Sequence, residues 1–98
     1  MNISHLPINE IRELCRRYHV RELALFGSAL SGDFTKDSDI DFLVEFEPDA
    51  EIGFLTLSRM QRELTELLNR PVDLVSKQGL KPWIRQTVLS SAEVLYAA

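Results

Sequence analysis

The chain has 98 residues, 11 Lys+Arg against 15 Asp+Glu, a formal charge of −4 and a pI near 5.1, which argues against a protein that grips nucleic acid through a basic face. An apolar fraction of 45% excludes a disordered chain, and the absence of any run of 18 apolar residues excludes a membrane span. A single cysteine, Cys15, excludes an intrachain disulfide framework, and Met1 to His5 lacks the pattern of a signal peptide, so one cytoplasmic globular domain over residues 1–98 is expected.

Residues 7–19 read as an amphipathic helix. Pro7 suits its first turn, and Ile8, Ile11, Leu14, Cys15 and Tyr18 form one apolar stripe, with Arg12, Glu13, Arg16 and Arg17 outside. Leu23-Ala24-Leu25-Phe26 is a continuous apolar run ending at Gly27, the pattern of a strand buried on both faces. Residues 29–33 could make one helical turn, and 34–38 a polar loop. From Asp39 to Phe46 the residues alternate, with Ile40, Phe42, Val44 and Phe46 on one side of a strand and Asp39, Asp41, Leu43 and Glu45 on the other. A long helix is expected over 51–69, its apolar face marked by Ile52, Leu55, Leu57, Met60, Leu64, Leu67 and Leu68 and its end set by Arg70-Pro71. Val72-Asp73-Leu74-Val75 reads as a third strand. Pro82 opens a final helix to about Leu89, and Ser90 or Ser91 caps a short last turn towards Leu95 and Tyr96. The order α-β-(turn)-β-α-β-α implies an α+β fold, a small three-stranded mixed sheet flanked by helices.

Three features carry chemistry. Asp39 and Asp41 lie two apart in a strand, so both carboxylates leave one face with Cα atoms roughly 6.5–7 Å apart. Their repulsion is relieved by a hard divalent cation such as Mg²⁺; a solvated strand end with two acids is the plainer reading of the pair alone. Gly27-Ser28 joins a buried strand to a possible helical turn, where backbone N–H groups and the Ser28 hydroxyl could meet a phosphate; an ordinary glycine turn with Ser28 as an N-cap is the plainer reading of the motif alone. Asp73 sits in an apolar strand and, if that strand lies beside the second one, can face Asp39 and Asp41; otherwise it is an edge acid reaching solvent. Three carboxylates beside a phosphate-binding turn suit two-metal phosphoryl transfer.

Gly27-Ser28, ten residues, then Asp39-x-Asp41 resembles the signature of the polymerase-β-like nucleotidyltransferases, and Val72-Asp73-Leu74-Val75 in so short a chain resembles the minimal nucleotidyltransferase (MNT) family. The resemblance implies a nucleotidyltransferase fold and the activity of a protein adenylyltransferase, moving AMP from Mg-ATP to a protein hydroxyl. It also implies a partner: many members are antitoxins of a type VII-like toxin–antitoxin pair that modify a tyrosine of a cognate HEPN ribonuclease toxin. Carried over by residue, Gly27 and Ser28 would hold the triphosphate, Asp39 and Asp41 would ligate two Mg²⁺ ions, and Asp73 would ligate the catalytic ion and help deprotonate the acceptor. The family often reads Gly-Ser-x-x-Arg-Gly, and Ser31 stands at the Arg position, removing a cation that could face phosphate. The alternative is therefore a binding module that neutralises its partner by occlusion. A metal-dependent hydrolase is disfavoured because nothing else in the chain resembles a water-activating base.

Cys15 is expected in the core, His5 and His19 at the surface, Trp83 and Tyr96 as packing groups and Lys36 as a solvated loop residue. A three-stranded core cannot cover every apolar residue of the Phe54-to-Leu68 helix or the final helix, which makes these the candidate partner surfaces.

Overall fold

Leu6 and Ile11 set the first element in place. A computed structural model describes residues 6–26, 40–79 (apart from the Gln78 side chain) and 92–98. In it Pro7 caps helix α1 (Ile8–Arg17), and both Leu6, just before the cap, and Ile11, in the first turn, enter the core. This apolar pair across a helix start fixes the entry angle of the chain. Ile11, Leu14 and Cys15 are buried and Ile8 and Tyr18 pack beside them, as the stripe predicts. His19 follows with φ 58, a left-handed residue that turns the chain into strand β1 (Val20–Phe26).

Strand β2 (Ile40–Phe46) pairs antiparallel with β1, and a register irregularity between Val20 and Glu22 keeps Val20 in the core. Helix α2 (Phe54–Leu68) then carries the chain across the sheet to strand β3 (Val72–Ser76), which lies parallel to β2. Such a crossover is the standard way to join parallel neighbours. A 3₁₀ turn, Lys77–Gly79, follows β3. The described sheet has four strands in the order β3-β2-β1-β4, the last being Glu93–Ala97, antiparallel to β1.

Three expectations are corrected. The sheet has a fourth strand where a short last turn is expected: Val94, Leu95 and Tyr96 alternate over too few residues to separate strand from turn by pattern. Helix α2 begins at Phe54 rather than 51, because Gly53 is extended (φ −94, ψ 178) and serves as its N-cap. Ile52 thus precedes the helix, and Leu55 is 80% exposed, two residues out of step with the true apolar face of Leu57, Met60, Leu64, Leu67 and Leu68. At the other end the helix stops as Arg70-Pro71 predicts, with Asn69 in the left-handed conformation (φ 55) that asparagine tolerates better than most residues. The expected turn at 29–33, the loop at 34–38 and the helix from Pro82 lie outside the described residues, as do His5, Lys36 and Trp83.

The core lies between the two helices and one face of the sheet. Leu23, Leu25, Ile40, Phe42, Val44, Val72, Leu74 and Leu95 face Ile11, Leu14, Cys15, Met60 and Leu64. Ala24 and Leu43 are also buried, at 2% and 4% exposure, but belong to the opposite face and to no part of that cluster. Strands β1 and β2 are thus covered on both sides at their centres, which accounts for the unbroken Leu-Ala-Leu run. Tyr18 ties α1 to α2 by donating its hydroxyl hydrogen to the Glu63 carboxylate, and Arg17 reaches Glu63 at 3.6 Å. Tyr96 packs against the core, as expected.

Burial pushes the Cys15 thiol up from 9.0 to about 12, against a smaller opposing pull from Arg16. Burial also raises the Tyr18 hydroxyl above its usual 10.0, helped by its bond to Glu63 and that carboxylate's charge. In both cases the folded state holds the proton more tightly than the unfolded one, so their stabilisation is complete below pH 9 and drains away as pH rises. We expect unfolding free energy to fall steadily from pH 9 upward, with a shallower slope in Cys15→Ala; denaturant titrations at stepped pH measure this, and equal slopes would contradict it. We also expect Cys15 to react with a disulfide reagent at pH 8 only as fast as the chain opens; a stoichiometric burst would refute the buried thiol.

Candidate active site

Because β2 and β3 are parallel and in register, Asp41 is the register partner of Asp73. Neighbouring strands lie about 4.8 Å apart, and register partners send their side chains to the same face. Two carboxylates therefore stand side by side on the sheet face away from α1 and α2. Asp41 is half-buried and Asp73 exposed. On the β1 side, Asp41 is paired with Phe26, the last described residue before Gly27.

This face is built in three rows across the strands. The first is Phe26, Asp41 and Asp73; the second, Ala24, Leu43 and Val75; the third begins with Glu22 opposite Glu45. In the third row Lys77 reaches Glu45 at 3.8 Å, with both side chains largely shielded from solvent. That cation offsets the unfavourable facing of two glutamates. The first row repeats the facing of two acids, and no described cation pairs with Asp73. Solvent exposure, not an apolar setting, is what makes the Asp73 charge tolerable.

Of the expected site residues, the structure places Asp73 beside Asp41. Asp39, Gly27 and Ser28 lie outside them, as does Ser31. Among the described residues no three His, Cys, Asp or Glu side chains form a metal-binding group. The donor set of the first row nonetheless fits a hard divalent cation. It offers only carboxylate oxygens, like-charged and adjacent, on a face that a hydrated ion can reach.

Edge strand β3 is held by a residue the sequence reading passed over. The Leu74 N–H, next to Asp73 along the chain, donates to Gln61 Oε1 of α2 at 2.9 Å. Gln61 thus satisfies a backbone donor that has no further strand to pair with among the described residues. No sequence signal marks this contact, since Gln61 is simply a polar residue beside Met60. Lys77 did carry a signal: it continues the alternation of Asp73 and Val75. We expect Gln61→Ala to lower stability by about 1 kcal/mol and to speed amide exchange at Leu74. Hydrogen exchange read residue by residue checks this, and unchanged protection at Leu74 would contradict it.

Comparison with known proteins gives a consistent result. Residues 8–95 match the model of the nucleotidyltransferase domain family. The protein adenylyltransferase MntA of Thermococcus cleftensis is 42% identical over 85 residues, covering 87% of this chain and 82% of that protein. Among solved structures, a toxin–antitoxin crystal structure with AMP-PNP superposes with a TM-score of 0.78 at 25% identity, covering 95% of this chain and 75% of the matched chain. A complex of tri-AMPylated HEPN toxin with MNT antitoxin from Shewanella oneidensis gives a TM-score of 0.69 at 22% identity, covering 93% and 70%, and supports the fold.

Proposed function

The chain belongs to the nucleotidyltransferase domain family, and from that premise we propose that it is a protein adenylyltransferase: it moves AMP from ATP to a hydroxyl of a partner protein and acts as the antitoxin of a toxin–antitoxin pair. The observation that carries this reading is the register pairing of Asp41 with Asp73 on one open face of the sheet. The 42% identity to an adenylyltransferase and the likeness to a toxin–antitoxin structure with AMP-PNP support the same reading.

In this proposal Gly27 and Ser28 bind the triphosphate, and Gly27 follows Phe26, the register partner of Asp41. Asp39, Asp41 and Asp73 would hold two Mg²⁺ ions. When bound, the ions neutralise charge on the α-phosphate and lower the pKa of the acceptor hydroxyl. Asp73 is exposed and stands where a macromolecular hydroxyl can approach it. It orients that hydroxyl and accepts its proton as the acceptor oxygen bonds to the α-phosphorus and the bond to pyrophosphate breaks. The rest of the contribution is positioning. The acceptor is taken to be a tyrosine of a cognate HEPN ribonuclease toxin, and the net charge of −4 disfavours a nucleic-acid acceptor.

Ser31 in place of the family arginine favours one second reading, a catalytically weak module that neutralises the toxin by occlusion. Against it, a pure binder gains nothing from adjacent carboxylates that repel. ATP labelled at the α-phosphate, incubated with the chain and the HEPN protein, separates the two. We expect label and an added AMP mass on the partner, and a loss of about 10³-fold or more in rate for Asp41→Asn or Asp73→Asn with melting temperature maintained. Full transfer by either variant would overturn the assignment; a tight complex with no added mass would establish occlusion.

A further inference from the structure

The end of β2 remote from Asp41 carries a surface that the transfer chemistry does not use. Phe54 and Leu55, the first residues of α2, are each 80% exposed. Beside them a cavity of about 310 Å³ is lined by Phe46, Ala50, Ile52, Phe54 and Leu57, with Glu45 and Glu47 in its wall. Two adjacent large apolar side chains left in water next to a hollow of mixed apolar and polar lining mark an interaction surface rather than scattered exposure.

The connection that rims it is of one sign, while Arg59 stands one helical turn beyond Leu55 on α2. The connection from β2 to α2 contains Glu47, Asp49 and Glu51 and no Lys or Arg. Asp49 and Glu51 are exposed, and none of the three acids pairs with a cation among the described residues. Glu45 is already taken by Lys77. An exposed Phe54–Leu55 pair beside a hollow with an acidic rim is complementary to apolar side chains flanked by positive charge. It is not complementary to itself: a two-fold contact between copies of this chain would set rim against rim.

We propose that this surface docks a segment of the partner protein that presents one or two bulky apolar side chains flanked by lysine or arginine. The proposal rests on the reading that a partner protein is the acceptor, and it adds where that partner is gripped. From Phe46 to Asp41 is five residues of β2, about 16 Å. The docked segment and the modified hydroxyl are therefore separated on the partner by a distance of that order, equal to some five extended residues or about three helical turns. Affinity and chemistry reside at opposite ends of one strand.

The test measures binding of the HEPN protein from the transfer assay to the immobilised chain across a series of ionic strengths. We expect the pair Phe54→Ser with Leu55→Ser to weaken binding at least tenfold. The triple Glu47→Gln, Asp49→Asn, Glu51→Gln should weaken it at low salt and flatten its salt dependence. Asp73→Asn should bind as the unaltered chain does while losing transfer. Unchanged affinity in the serine pair, with the unaltered chain binding, overturns the docking surface alone. No binding by the unaltered chain overturns the protein-acceptor reading beneath it. A dimer of this chain in sedimentation, lost in the serine pair, overturns the partner as occupant. Of the substituted side chains only Glu47 is half-buried, the others being exposed, and matched melting curves verify that each variant is folded.

Discussion

The parallel pairing of β2 with β3 is the constraint on which the site depends. It alone makes Asp41 and Asp73 neighbours, since the two lie 32 positions apart in the chain. A shift of one residue in that register would send Asp73 to the core face, among Ile40 and Phe42, where an unpaired carboxylate is not tolerated, and would expel Val72 and Leu74 to the open face. The core therefore enforces the acid pair: burying Val72 and Leu74 on one side leaves Asp73 no choice but the other.

Helix α2 serves this pairing twice. As the crossover, it makes parallel alignment possible and covers the core through Met60 and Leu64. Through Gln61 it also fixes the outer edge of β3 at the residue after Asp73. The same helix begins with Phe54 and Leu55 turned to solvent, so one element connects the core, the strand that carries an acid and the surface assigned to the partner. Two acid–acid facings stand on the open side of the sheet. Glu22 and Glu45 are accompanied by Lys77, whereas Asp73 has no described cation beside it.

Much of this was legible in the sequence because hydrophobic period and chemistry agreed. The stripe of Ile8, Ile11, Leu14, Cys15 and Tyr18, the alternation from Ile40 and the short Val-Asp-Leu-Val run each mark an element the structure contains. Family membership was legible from Gly27-Ser28 and Asp39-x-Asp41, although the structure describes only Asp41 of those four residues. What could not be read depends on tertiary context. Strand β4 is defined by pairing to β1, since its five residues carry too little pattern alone. Leu55 sits among apolar neighbours and looks internal until Gly53 fixes where the helix starts. The left-handed turn at His19 has no glycine to announce it, and the Gln61 contact joins residues 13 apart without any motif.

The central claim is that the carboxylates of Asp41 and Asp73 act together on one divalent cation. Titrating Mn²⁺ into isotope-labelled protein and following the carboxyl carbons of every Asp and Glu by NMR tests it directly. Paramagnetic broadening should reach Asp41 and Asp73 together, at the lowest ion concentration, and Asp41→Asn should weaken it at Asp73. Broadening that begins at other acids, or that reaches Asp73 unchanged in Asp41→Asn, would contradict a shared site.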